Sequence, residues 1–331
     1  MRIWFNHWFS TAYDLIELIK KDEKDVEIIG SNKRVNSIIR LVCDEWYQEP
    51  ESNENYIEYC LNFCEEHKID IFIPRRNLEL ISKNLSLFSG KGVKVLVDDY
   101  SKIELLNDKQ RTYELLKDIK EIHIPKYYIV ENLSEFDKAY KDLSQNSSSV
   151  CVKFVKDEGA LSYRRIVDGK LTYNRLRVYP GAEVYLDDYR RCLAEKEKFD
   201  KLMVMEYLPE NEISVDCLST DQGNIIIPRY KTSGRDETII FDKYISDVCE
   251  RIMIKIGLYY PCNIQFKCKN GIPYLLEINT RMSGGLQMSC LATGLNIPKM
   301  AIDKLFGKNF SWKLDDLSKK TVSYIEIPKI I

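Results

Sequence analysis

Histidine is scarce in this chain: only His7, His67 and His123 occur, and they are far apart. Ten cysteines are present but no CxxC pair, so the clustered Cys and His of a structural zinc site are missing. Nothing points to a Ser/His or Cys/His nucleophile. An excess of either charge is also missing. Lys and Arg number 49 against 51 Asp and Glu, a formal net charge of -2, which gives no electrostatic footprint for nucleic acid or a membrane surface. No run is long and apolar enough to span a bilayer, and MRIWFNHWFSTAYDL lacks the apolar stretch and small residues of a signal peptide. These absences predict a cytoplasmic protein whose cysteines are reduced and mostly in the core, Cys151, Cys217 and Cys249 among them. Glycine is absent from Asn6 to Thr11, directly after the first expected strand. A dinucleotide site needs a glycine-rich turn there, so NAD binding is not expected.

What is present is ordinary in amount and informative in order. Hydrophobic residues make up 44% and charged residues 30% of 331, which suits two or three compact units with a sizeable core. The first third alternates. Strands are predicted at 2–5, 26–29, 69–73 and 93–97, with helices at 11–20, 56–67 and 78–88. This rhythm implies a parallel, doubly wound sheet. Ligands of such sheets bind at the carboxyl ends of strands, which singles out Asn6, Ser10, Thr11 and the pair Arg75-Arg76 after Pro74. The pair reads either as a surface doublet at a helix entry or as a reader of an anionic group, which the guanidinium fork suits.

The densest chemistry lies in CNIQFKCKNGIPYLLEINTRMSGG, residues 262–285. Two strands flank Asn270-Gly271, a strong hairpin signal because both central positions favour positive φ. Gln265 sits on the first strand, and Glu277, Asn279 and Arg281 follow at every second position on the other. Period two gives those three a common face. A carboxylate, two amide oxygens and a guanidinium there would suit a hard divalent cation carrying phosphate oxygens. A polar, solvent-facing strand edge would show the same alternation.

The N-x-Q-F element, the hairpin and E-I-N-x-R-x-S-G-G resemble the metal-binding strand pair of ATP-grasp ligases, especially the carbamoyl-phosphate-synthetase-like branch. Other pieces follow the family order. Asn107-Asp108-Lys109 opens a helix expected at 108–120, followed by Ile124-Pro125 and a strand; SSSVCVKFV (147–155) is an apolar strand carrying Lys153; KLMVMEYLPENEISVDCL (201–218) resembles the family hinge. The resemblance covers essentially the whole chain. It implies a mixed α/β and α+β architecture. A Rossmann-like pre-ATP-grasp domain (1–104) precedes a two-subdomain ATP-grasp fold, with an N-terminal and lid subdomain (105–200) and a C-terminal subdomain (201–331).

The resemblance also implies roles. Lys109 and Lys153 meet nucleotide phosphates, the backbone of Glu206, Tyr207 and Leu208 pairs with the adenine edge, and Glu212 holds the ribose. Gln265, Glu277 and Asn279 hold Mg²⁺ or Mn²⁺, Arg281 is catalytic, and Arg229 and Lys231 lie near the transferred phosphate. The role of Asp216 is left open. ATP then lies between two antiparallel sheets. A substrate carboxylate attacks its γ-phosphorus, and an amine captures the acyl-phosphate. The partners are small-molecule carboxylates and amines, amino acids or a peptide among them, with no nucleic acid or membrane; a homodimer is compatible with this. One departure stands out. The family's glycine-rich phosphate loop corresponds to KDEGALSYRR (156–165), which has only Gly159. Either Ser162, Arg164 and Arg165 compensate, or turnover is weak. The other readings are a phosphotransferase on the same scaffold and a nucleotide-binding regulator without turnover.

Overall fold

Strand and helix alternate through the N-terminal third as the apolar spacing predicts. The computed structural model describes residues 1–6, 10–34, 36–147, 149–156, 161–177, 181–232, 234–314 and 319–331. β1 (Arg2–Phe5), α1 (Ala12–Asp22), β2 (Glu27–Asn32), β3 (Glu45–Gln48), α2 (Tyr56–Glu66) and β4 (Ile71–Ile73) come first. They are followed by α3 (Leu78–Lys83), α4 (Leu85–Gly90), β5 (Lys94–Val95) and α5 (Tyr100–Asn107). The five strands form one sheet in the order β3-β2-β1-β4-β5, with every pairing parallel. β3 was not foreseen: EWYQ is four residues long with no apolar run, and its strand state comes from pairing with β2.

The next segment contains α6 (Lys109–Leu116), β6 (Tyr127–Val130), α7 (Leu133–Asn146) and β7 (Val150–Phe154). β8 (Arg164–Val167), β9 (Glu183–Tyr185), α8 (Leu186–Leu193) and β10 (Leu202–Glu206) complete it. Their sheet runs β6-β10-β7-β8-β9, so β10 pairs antiparallel on both sides. Val130, Val150, Val152, Leu202 and Val204 bury one face against Phe136, Ala139 and Leu143 of α7. Alternation sends Cys151, Lys153, Met203 and Met205 to the other face.

The remainder holds β11 (Glu212–Thr220), β12 (Gly223–Lys231), β13 (Glu237–Ile239), α9 (Lys243–Ile256) and β14 (Cys262–Lys269). Then come β15 (Ile272–Asn279), α10 (Leu286–Thr293), α11 (Ile297–Leu305) and β16 (Lys320–Val322). The strand order is β15-β14-β11-β12-β13-β16. The hairpin turn is as read from Asn270-Gly271, with φ of 54° and 73°. α9 shows why its sequence is helical. Asp242 caps it by accepting from the Ile245 amide at 3.0 Å, and Gly257 ends it at φ 73°. Its stripe Ile245, Val248, Cys249, Ile252 and Met253 is buried.

Two compact units result. One consists of Met1–Glu104, Asn211–Gln265 and Ile278–Ile331, the other of Leu105–Glu210 and Phe266–Glu277. β10, which the sequence division assigned to the C-terminal subdomain, is a central strand of the second unit's sheet. All ten cysteines are free thiols, seven of them buried. Among the described residues no helix is long and apolar enough to cross a membrane.

Candidate active site

In the second unit Lys153 occupies the middle of β7, opposite Met203 of β10. It is 9% exposed, on the face away from the α7 core. Cys151 and Met205 extend that face as an apolar bed. A lysine held among such residues is costly unless its ammonium meets an anion or a polar partner. β10 leads into the hinge. The Tyr207 amide donates to Ser149 O at 3.1 Å and is therefore engaged within the protein. Glu206 O accepts from the weak Cys151 thiol at 3.6 Å. The Glu206 carboxylate is anchored at both oxygens, by the Lys126 amide at 2.8 Å and Lys269 Nζ at 2.5 Å. This acid holds the hinge in place; its backbone, not its side chain, faces the expected role. Leu208 is buried. The Tyr207 ring has the Arg165 guanidinium 5.1 Å and the Lys267 ammonium 5.9 Å from its centroid.

Lys109 is the first residue of α6, after the Asp108 cap that accepts from the Arg111 amide at 3.0 Å. The helix is shorter than expected, ending at Leu116. Tyr113 lies one turn on from Lys109 and so shares its face. Its hydroxyl donates to Leu276 O at 2.8 Å, tying this face to the strand segment that carries Glu277. Burial raises the Tyr113 pKa, and the Glu277 charge pushes the same way. Sequence reasoning missed Tyr113; an aromatic residue four positions after the family lysine was the available signal.

Glu277 and Asn279 lie two apart near the end of β15, while Arg281 falls in the bend beyond the strand. Alternation along β15 is not strict. Leu275 and Ile278 are buried, and Leu276 and Glu277 between them are both half-buried. Gln265 donates Nε2 to Asn263 Oδ1 at 3.0 Å, which leaves its Oε1 as the atom able to ligate. Among the described residues no cluster of three or more His, Cys, Asp or Glu could hold a metal by itself. One carboxylate and amide oxygens are nevertheless the donor set for Mg²⁺ that arrives with phosphate, because that ion keeps most of its ligands from elsewhere. By residue type such oxygens suit an ion that arrives with a nucleotide; Glu277 belongs to one compact unit, and Gln265 and Asn279 to the other.

In the first unit two expectations change. Arg229, expected near the transferred phosphate, is 1% exposed. Its Nε donates to Asp216 at 2.8 Å, Nη1 to Glu237, and Nη2 to Ser214 and Ser283 at 3.1 and 3.0 Å. Burial works against the charged guanidinium, but Asp216 and Glu237 outweigh it and hold the pKa above its usual value. Every guanidinium nitrogen is engaged within the protein, so Arg229 acts as a structural post of this network. Asp216 is the hub of this network and accepts also from Asn263 Nδ2 at 3.0 Å and Ser289 Oγ at 2.6 Å. Gly285 explains part of the S-G-G signature. A Cβ there would stand 2.2 Å from Arg229 Nη1.

Lys231 donates to Glu212 at 2.5 Å across the β11–β12 pair. Both side chains are partly exposed. If Glu212 holds a ribose, Lys231 is at the ribose end and not at the γ-phosphate, so the two roles read from the sequence do not hold together in this arrangement.

The glycine-poor loop falls on 157–160, Gly159 included, which lie outside the described residues. Ser162 accepts from the Phe154 amide at 2.9 Å. Arg164 donates to Leu161 O and Tyr163 O at 3.1 and 2.7 Å, and Arg165 pairs with Glu183. These contacts close the strand pair and lie within the protein. Asn6 is buried, accepts from the Arg75 amide at 2.6 Å and donates to Tyr56 Oη at 2.9 Å.

These features have counterparts in known proteins. Residues 198–327 match the model for ATP-grasp in the biosynthetic pathway with Ter operon. The chain is 24% identical over 316 residues to the carbamoyl phosphate synthase large chain of Thermoplasma acidophilum, covering 91% of this chain and 29% of that one. It therefore spans less than a third of that relative's length. Among solved structures, N5-carboxyaminoimidazole synthetase from Staphylococcus aureus complexed with ADP aligns with a TM-score of 0.72 at 14% identity, over 98% of this chain and 82% of that one. An L-amino acid ligase from Bacillus licheniformis aligns with a TM-score of 0.64 at 13% identity, over 92% and 74%. Residues 198–327 thus match an ATP-grasp model, and most of the chain is homologous to part of the carbamoyl phosphate synthase large chain.

Proposed function

We propose that this protein is an ATP- and Mg²⁺-dependent carboxylate–amine ligase that works through an acyl-phosphate and releases ADP and phosphate. The observation that carries the reading is the family order of Lys109, Lys153, Glu206, Glu212, Gln265, Glu277, Asn279 and Arg281 along the chain, in a chain whose residues 198–327 match an ATP-grasp model. Lys153 and Lys109 would bind the triphosphate. The Glu206 carbonyl and the Leu208 amide would read the adenine edge, since the Tyr207 amide is taken by Ser149. Glu212 would exchange Lys231 for the ribose hydroxyls. Glu277 and Asn279, with Gln265, would hold Mg²⁺, which when bound neutralises phosphate charge. Arg281 would hold the attacking carboxylate and steady the charge on the transferring phosphoryl oxygens. The amine then attacks the acyl carbon and phosphate leaves. The ADP-bound synthetase and the amino acid ligase among the structural neighbours support this choice of chemistry.

The test is a screen of acids and amines, beginning with amino-acid pairs, scored by ADP and phosphate release. Turnover is expected only when both a carboxylate and an amine are present. ADP with a phosphorylated acceptor and no need of amine would make the protein a phosphotransferase. Nucleotide binding without ADP from any pair would make it a regulator.

A further inference from the structure

Glu212 and Lys231 stand at the open end of the β11–β12 pair; at its other end the hairpin turns through Asp221 and Gln222. α11 finishes beside that turn. Lys304, in its last turn, donates Nζ to Ser219 O at 2.7 Å, and its ammonium lies 3.3 Å from the centroid of the Tyr259 ring. Gly307, at φ 63°, then turns the chain, and Lys308, Asn309 and Phe310 follow. A cavity of about 300 Å³ opens here within the first unit, lined by Lys304, Lys308, Asp221, Asn309, Tyr259 and Phe310 among others. That volume is at the lower end of the range for small-molecule sites.

The charges lining the cavity select its ligand. Among the described residues no carboxylate lies within ion-pair distance of Lys304; its ammonium is held by a carbonyl and a ring face, which steady a cation without neutralising it. Lys308 reaches Asp303 at 3.5 Å, but Lys299 already holds both oxygens of that acid at 2.6 Å. Asp221 is the one acid among the described lining residues, against two lysines. Tyr259 and Phe310 add ring surface. Burial pushes the Lys304 pKa down to about 8, although the carboxylates of Asp221 and Asp98 act the other way. An anion in the cavity opposes that desolvation directly.

We propose that this cavity is a binding site for a small aromatic carboxylate, with the carboxylate at Lys304 and Lys308 and the ring against Tyr259 and Phe310. The inference stands apart from the ligase reading, because none of these residues is assigned to the nucleotide, its metal or the reacting acid.

Benzoate is the probe, with benzamide as its neutral counterpart and acetate as a carboxylate without a ring. Calorimetry on the whole protein at pH 7 is expected to show benzoate saturating one site about tenfold or more tightly than either control, the scale of one charge-assisted contact. Lys304→Gln is expected to reduce its preference over benzamide to about twofold or less. Arg281→Ala is expected to leave that preference intact, which separates this cavity from the site read for the reacting carboxylate. The groups around the Lys304 ammonium are Asp221, Asp98, Lys308 and the Tyr259 ring. Lys304 itself loses its proton as pH rises through about 8, so benzoate affinity is expected to fall about tenfold from pH 7 to pH 9 in the parent and to stay nearly flat in Lys304→Gln. Two exposed positions serve as independent variants: Lys308→Ala is expected to weaken benzoate about threefold and Asp221→Asn to tighten it about twofold, both with parental melting. Benzoate bound no more tightly than benzamide overturns the proposal, as does a preference kept in Lys304→Gln. If Lys304→Gln melts early, the other two variants decide: opposite shifts uphold the site, and no shift in either overturns it.

Discussion

Glu277→Ala is expected to lower phosphate release by about 10²-fold or more, while the protein stays folded. The size follows from removing the sole carboxylate in the candidate donor set of Gln265, Glu277 and Asn279. A metal that arrives with phosphate depends on such a ligand for its position, and losing one preorganised electrostatic contact costs about 10²–10³-fold in rate. Nucleotide binding should weaken much less, because Lys109, Lys153 and the hinge are unchanged. Steady-state kinetics at saturating Mg²⁺ and a melting curve check this together. A normal rate in Glu277→Ala would remove the metal assignment. A low rate with lowered melting would instead point to the packing around Tyr113, whose hydroxyl is bonded to the adjacent Leu276 carbonyl.

Arg229→Ala is expected to be the most destabilising single substitution discussed here, by about 3–5 kcal/mol. The cause is what it leaves behind. Asp216 and Glu237 would lose their cation while remaining in the interior, and the Ser214 and Ser283 hydroxyl oxygens would lose the donor they accept from. Gly285→Ala reaches the same network from the other side, since its Cβ would displace Arg229 Nη1. It should lower stability without touching any group assigned to the nucleotide. A surface control is Lys243→Ala, which breaks an exposed pair with Asp247 and should cost less than about 0.5 kcal/mol. Urea midpoints measure all three. An Arg229→Ala protein with parental stability but no turnover would return Arg229 to the reacting phosphate.

Local rules carried much of the architecture. Asn270-Gly271 announced its hairpin because only the turn residues' φ mattered. α9 could be read from its stripe, its Asp242 cap and Gly257, all within one short window. β13 and β16 could not, because three-residue strands exist only through pairing with each other and with β12. The site divides in the same way. Lys153 was visible as a charge inside an apolar run. The surroundings of Arg229 were not legible because they are set by register: Ser214 lies directly across from it, and Asp216 two residues further along the partner strand. Charge and family order suggested phosphate, and only burial reveals the internal pairing. The Arg75-Arg76 doublet was ambiguous for a related reason. Glu49 and Tyr56, which claim Arg76, come from elsewhere in the chain.

The central claim is that a carboxylate takes the γ-phosphoryl group of ATP. An acid found active in the screen, labelled with ¹⁸O in the carboxylate, tests it directly when the released phosphate is weighed by mass spectrometry. The acyl-phosphate route predicts one ¹⁸O in each phosphate formed, because the bridging oxygen leaves with phosphorus when the amine attacks. Unlabelled phosphate, formed at the same rate in the presence of acid and amine, would contradict it.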